Sequence, residues 1–340
     1  MSPSQRAEEP VVLGVDFGGT KTAAAVVDLS GLPLASATVD SRLAGESAQE
    51  SFDRALQVAL NLVESATGAS GSEAMDRLLA VGACTFGIPF DDRVELAPTI
   101  PGWSEIAFGD GLRRAFPGVE VRVATDVKAA AAAEVRDGAL AGYDPALYLN
   151  LGTGLAAAVV VRGEVVTGRN GAAGEMAYNL RRPDDVWRHP RERLALEERV
   201  SGNGLGRVAS SVAGRPVDAA DVFAMAETDP AMAELLDEFV AELGFHVANL
   251  AIAVDPARVA VGGGLVRSWD RIERGLRRAL DAVPFPPELV LARFPHDAAL
   301  RGVLAMATEA ATMFRPDAPP LSTVGPARRI REVGPHGRDD

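Results

Sequence analysis

Five apolar residues at 11–15, a single acid at Asp16 and a Gly18-Gly19-Thr20 turn open the pattern, and small and β-branched residues at 22–27 run on to turn residues at 28–31. Strand, turn and strand in that order predict a β-hairpin. The pattern returns 134 positions later, where residues 147–161 place Asn150 on Asp16, Gly152 on Gly18 and Ala158 on Ala24. Two related hairpins predict two related domains. Residues 51–64 set Phe52, Leu56, Ala59 and Val63 on one helical face, a Gly/Ser stretch at 67–72 breaks that helix, and residues 80–86 read as a buried strand. Cys84, inside that strand, reads as a packed small side chain rather than a nucleophile. A short strand at 119–124 hands Thr125 and Asp126 to an alanine-rich helix at 127–136. After the second hairpin come a glycine-rich loop at 168–179, a polar surface excursion at 181–193 and the start of a helix at 194–202. Helices at 218–227 and 230–254 follow, with His246 in the second expected at the surface or capped. A strand at 258–261, three glycines at 262–264 and a last helix at 297–313 precede a tail rich in Pro, Arg and Gly, expected to be loosely ordered.

A chain of 340 residues, 47% hydrophobic and 24% charged, has room for two globular domains with proper cores. Its net charge of −13 argues against nucleic-acid and membrane partners, whose phosphates are held largely by Lys and Arg. No apolar segment precedes the first strand and no later run is long enough to span a bilayer. The single cysteine allows no internal disulfide, and a cytoplasmic location is the expectation.

Glycines at 18 and 19 allow backbone N–H groups to approach an anion closely, Thr20 and Lys21 add a hydroxyl and a positive charge, and Asp16 suits a hydrated Mg²⁺. The bland alternative is an Asp beside an ordinary Gly-Gly turn. A nucleotide fold of the P-loop kind would run from its glycines into a helix, whereas both turns here run into Ala-Val-Val strands, so phosphates are expected between two facing hairpins. Asp126 sits where a strand meets a helix N-terminus. It is either a plain helix cap or a base for a sugar hydroxyl, and the helix dipole is expected to hold its pKa low. Glu175 and Tyr178 give the glycine-rich loop a carboxylate and a phenol suited to a polyol. Gly262, Gly263 and Gly264 let a flat base or ribose lie against backbone.

These motifs together resemble the ROK family of sugar kinases, within the actin/hexokinase-like superfamily, over residues 11–313. The resemblance rests on the 16–21 phosphate motif, Gly87-Ile88-Pro89 with 98–103, Asp126 with Ala129-Ala130, and the second phosphate motif Gly152-Thr153-Gly154. It rests further on 171–175, Leu196-Glu197 with Ser201-Gly202, Gly262–Gly264 and 298–302. It implies an α/β fold of two ribonuclease-H-like (actin-like ATPase) domains around a central cleft. The first lobe is expected at 11–126, the second at 127–296, with 297–313 packing back on the first and tails at 1–10 and 314–340. It implies ATP and Mg²⁺ as cofactors, Asp126 as catalytic base, and Glu175 and Glu197 as carboxylates holding sugar hydroxyls. Family repressors carry a DNA-binding domain ahead of the first phosphate motif, for which ten residues leave no room. Family members are commonly dimers, so a homodimer is admitted.

Three departures stand out. Thr99 and Thr125 occupy sugar-contacting positions where the family often has Asn, and Tyr178 replaces the His of Glu-x-Gly-His. The family's Cys-rich zinc loop has become residues 181–195 without a cysteine, so no zinc is expected. The expectation is phosphorylation of a primary hydroxyl of a hexose-like substrate, an amino sugar or a carbocyclic (cyclitol) analogue. A glucokinase or N-acylhexosamine kinase is the alternative within the class, and a non-catalytic sugar-binding regulator the alternative outside it.

Overall fold

The computed structural model describes residues 9–189 and 192–313, so the expected tail at 314–340 and most of the leading segment 1–10 lie outside the described residues. β1 (Val11–Phe17) and β2 (Lys21–Asp28) pair antiparallel from Val11↔Asp28 to Phe17↔Thr22, the hairpin that the apolar pattern predicts. β3 (Pro33–Asp40) extends it as an edge strand whose mixed, largely exposed positions gave the pattern nothing to mark. α1 (Ala48–Thr67) opens on a capping box, Ser47 accepting the Glu50 N–H while the Glu50 carboxylate accepts the Ser47 N–H. α2 (Ser72–Arg77) leads into β4 (Leu78–Thr85), parallel to β1. After a small pair, β5 (Ile88–Pro89) with β6 (Val94–Glu95), and α3 (Phe108–Ala115), β7 (Glu120–Thr125) closes a sheet ordered β3-β2-β1-β4-β7. α4 (Asp126–Asp137) leaves β7 with no connecting loop.

The second half repeats the plan. β8 (Ala146–Leu151) and β9 (Leu155–Val161) form the second hairpin and β10 (Glu164–Val165) adds an edge. Then come α5 (Gly202–Ala213), α6 (Ala219–Met225), α7 (Pro230–Val254), β11 (Arg258–Gly262), α8 (Trp269–Leu280), β12 (Glu288–Leu291) and α9 (Ala298–Met313). The sheet order is β10-β9-β8-β11-β12, antiparallel across its first three strands and parallel across the last three, as in the first sheet. The two hairpins therefore belong to two copies of one topology.

β1 is apolar on both faces because both are covered. Leu13, Val15 and Phe17 join Phe52, Trp103 and Phe108 on one side, where ring centroids lie 5.2–6.1 Å apart. Val12 joins Val27, Ala80, Ala307 and Ala311 beneath α9 on the other. That helix can approach so closely because Gly82 leaves room for the Val303 carbonyl and Gly302 for the Ala129 carbonyl, where a Cβ would overlap each.

One local expectation is corrected and another narrowed. Residues 194–202 do not begin a helix: Leu196–Glu198 is a 3-10 turn, and α5 starts at Gly202 with the Ser201 hydroxyl accepting the Gly204 N–H. His246 is not at the surface but buried, its Nδ1 capped by the Asn179 amide. It is 4% exposed, because the chain at Asn179 lies over that face of α7.

Candidate active site

One cavity of about 370 Å³ opens between the sheets, and the C-terminal ends of β7 and β8 feed it. Gly19, Thr20, Thr99, Thr125, Asp126, Gly152, Thr153, Gly154, Glu175, Tyr178, Glu197, Gly263 and Gly264 all line it. Asp16, Gly18, Lys21 and Gly262 do not. Asp16 lies just behind the wall, Gly18 shapes the turn, Lys21 is exposed at the start of β2, and Gly262 is buried in β11, where a Cβ would overlap the Tyr148 hydroxyl. Gly263 and Gly264, of the three glycines expected to face a nucleotide, line the cavity, while Gly262 makes room for Tyr148.

Both glycine turns are closed by a hydrogen bond of their own, Gly18 N–H to the Lys21 carbonyl and Gly152 N–H to the Gly154 carbonyl, and are tied to neighbouring segments through other carbonyls. In the first, Gly18 N–H bonds the Lys21 carbonyl at 3.1 Å, the Ser41 hydroxyl donates to the Gly18 carbonyl and the Ser41 N–H to the Thr20 carbonyl. In the second, the N–H groups of Gly202 and Asn203, at the start of α5, bond the carbonyls of Gly152 and Thr153 at 2.8 and 3.2 Å. Gly154 leaves room for the Glu197 carboxylate, whose Oε2 accepts the Leu155 N–H at 2.9 Å and which a side chain at 154 would displace. Thr99 lies against Gly19, its methyl over the turn.

Asp126 corrects the electrostatic expectation. Thr125, not Asp126, is the helix cap, its hydroxyl accepting the Lys128 N–H at 3.2 Å. Asp126 is the first helical residue and accepts only the N–H of Val127, at 2.8 Å. Burial pushes its pKa up to about 7, the charge of Asp16 pushes the same way, and the Val127 N–H opposes both. Loss of solvent outweighs the helix terminus. Asp16 is pushed up to about 6 by burial, against the Cys84 thiol 3.4 Å from its Oδ1. Cys84 itself is fully buried and its pKa raised, as suits packing rather than nucleophilic chemistry.

Glu175, Glu197 and Tyr178 are all raised, burial being the main cause for each. Glu175 keeps a partner in Lys128, whose ammonium lies 3.4 Å from Oε1 and is 5% exposed. Lys128 was not singled out in the sequence. A lone lysine in an alanine-rich helix is a visible oddity, but its partner stands 47 positions away.

Asp16 and Asp126 place two buried carboxylates beside the first glycine turn, and Asp16 could hold a hydrated Mg²⁺ through water. Zinc does not fit the 175–195 segment, which has no thiol and carries a phenol at Tyr178. Among the described residues no group of three or more His, Cys, Asp or Glu side chains is arranged to hold a metal.

Duplicated five-stranded sheets of this order, with a glycine turn from each facing one cleft, define an actin-like ATPase fold. The ROK family profile matches residues 12–310, and the chain belongs to that family. It is similar to the ROK hexokinase of Thermus thermophilus at 29% identity and a TM-score of 0.72, over 89% of this chain and 99% of that one. A ROK family glucokinase from Streptomyces griseus, solved with glucose and AMPPNP, is 28% identical with a TM-score of 0.69, over 88% and 99%. An N-acetyl-D-glucosamine kinase of Yersinia pseudotuberculosis is 28% identical over 308 residues, 85% of this chain and 96% of the other. No described helix is long and apolar enough to cross a membrane.

Proposed function

We propose that the protein is an ATP-dependent sugar kinase in which Asp126 takes the proton of an acceptor hydroxyl as that oxygen attacks the γ-phosphorus. The observation that carries this reading is the meeting, in one cavity, of a carboxylate raised to about 7, two glycine turns, and Glu175, Tyr178 and Glu197. A base poised near neutrality both accepts a proton and gives it up again. Glu175 and Glu197 accept hydrogen bonds from ring hydroxyls, Tyr178 donates or accepts one, and Thr20 and Thr153 add hydroxyls at the phosphates. Mg²⁺, when bound, supplies positive charge to the phosphate oxygens. A purely sugar-binding regulator would have no use for Asp126 between the two phosphate turns, nor a general ATPase for Glu175 and Glu197.

The acceptor in this reading is a hexose-like sugar presenting a primary hydroxyl. The names of the relatives favour hexoses and N-acyl amino sugars. Thr99, Thr125 and Tyr178 favour a ring that differs from glucose, an amino sugar ahead of a carbocyclic analogue. The Thr125 hydroxyl accepts one hydrogen bond from the Lys128 N–H and is shorter than an amide, and each hydrogen bond a buried hydroxyl loses costs about 1–3 kcal/mol. A coupled ADP-release screen over glucose, mannose, glucosamine, N-acetylglucosamine, N-acetylmannosamine and cyclitols tests both levels. Turnover with an amino sugar as the best acceptor is expected. The highest kcat/KM on glucose would overturn the specificity, and binding without turnover across the panel would overturn the kinase.

A further inference from the structure

The cavity holds Glu175 and Tyr178 on an irregular segment with no strand to fix it beyond Gly174, whose carbonyl accepts the Ala157 N–H at 2.9 Å. Lys128 holds Glu175 and Met176 packs into the core, and beyond Tyr178 the segment is gripped from α7. Arg181 places Nε and Nη2 on the two carboxylate oxygens of Glu242, and both side chains are mostly buried, at 15% and 21% exposure. One helical turn further on, His246 meets Asn179, Nδ2 to Nδ1 at 3.4 Å. Asp185, also buried, accepts the N–H groups of Arg181 and Arg182 at 3.1 Å each and so holds Arg181 in place, while Arg193 Nη2 donates to the Tyr178 carbonyl at 3.1 Å.

We infer that Glu242 and His246 are positioning residues, a two-point clamp from α7 that sets Glu175 and Tyr178 for the acceptor. This rests on the kinase reading for its consequence, though not for its geometry. Residues four apart share one helix face, so a single face of α7 grips both positions 179 and 181 just after Tyr178. The fork of Arg181 on both oxygens of Glu242 fixes direction as well as distance. His246 adds a second sign. With Nδ1 accepting from Asn179 its proton sits on Nε2, and Nε2 is buried with no hydrogen-bond partner among the described residues. An apolar side chain of similar volume would remove that cost, so the fold alone gives no reason for a histidine there, whereas the contact to Asn179 does.

Steady-state kinetics on glucose and N-acetylglucosamine, with melting curves, test the clamp in Glu242→Ala, Glu242→Gln, Arg181→Lys and His246→Leu. Loosening the segment is expected to raise acceptor KM about tenfold or more in Glu242→Ala and Arg181→Lys, with kcat and the KM for ATP within about twofold. Glu242→Gln keeps an acceptor oxygen for Arg181 and is expected to recover most of the loss. His246→Leu is expected to melt no lower than wild type yet to raise acceptor KM severalfold, a split that a merely structural histidine would not produce. Acceptor KM within twofold of wild type in folded Arg181→Lys and His246→Leu overturns the clamp, as does a parallel rise in KM for ATP. Should Glu242→Ala not fold, the other three variants decide. Absence of wild-type turnover on both acceptors counts against the kinase reading alone. The clamp is then read from amide exchange over residues 174–187, expected to quicken about tenfold in His246→Leu relative to β8, and unchanged exchange overturns it.

Discussion

At Asp126 two effects compete, a helix terminus that favours the carboxylate and a buried setting beside Asp16 that disfavours it. The second wins, taking the group from 3.8 to about 7, and Asp16 from 3.8 to about 6. The folded chain therefore binds more protons than the unfolded one between about pH 4 and 7, and stability falls as pH rises through that window. The contribution is fully present below the unfolded value and lost by about pH 7. Asp126→Asn removes its share, so without Mg²⁺ its melting temperature is expected to gain on wild type from pH 5 to pH 8. A difference that does not change with pH would mean that Asp126 titrates as an ordinary carboxylate. Added Mg²⁺ at pH 8 should narrow the gap by stabilising the wild type. The position of Asp126 was legible because a strand end followed at once by an alanine-rich run leaves few places for an acid. The sign of its shift was not, since it depends on Asp16, 110 positions earlier, and on burial that no local pattern encodes. For the same reason Lys128, Ser41 and the pairing of Arg181 with Glu242 came only with the structure.

Among the elements, the two hairpins were the most legible, because each alternates a near-continuous apolar run with a glycine turn and the second repeats the first. Strand β3, with its mixed edge, and the short β12 carried no such run. Helices α3 and α8 carry apolar stripes, Ile272, Leu276 and Leu280 in the second, among so many charges that they do not stand out by density. Helix α9 packs closely on α4, where Gly302 meets the Ala129 carbonyl with no room for a Cβ. Gly302→Ala should therefore push α9 away from α4, the helix that Asp126 begins. The cost of such overpacking is about 1–3 kcal/mol, enough to lower the urea midpoint clearly. An unchanged midpoint would mean that α9 shifts freely. Gly154→Ala is a sharper test of the site. A methyl there strikes Glu197, and acceptor KM is expected to rise about tenfold or more with melting temperature nearly unchanged. Unaltered acceptor KM would remove Glu197 from the acceptor site.

For the whole molecule, duplicated sheets around one cleft bring together glycine turns from both halves and, on the kinase reading, an acceptor loop from the second. The α7 clamp gives that loop an anchor made of ion pairs and hydrogen bonds. Elemental analysis of the purified protein is expected to find well under one equivalent of zinc, and Mg²⁺ alone should restore activity after chelation. Stoichiometric zinc would mean that residues 175–195 hold a metal with ligands other than thiols. The most direct measurement of the central claim is ADP release by Asp126→Asn on the best acceptor, beside calorimetric ATP binding. Removal of a general base predicts turnover lower by about 10²–10⁴-fold with ATP affinity within about threefold of wild type. Turnover within tenfold of wild type would contradict the assignment of Asp126 as the base.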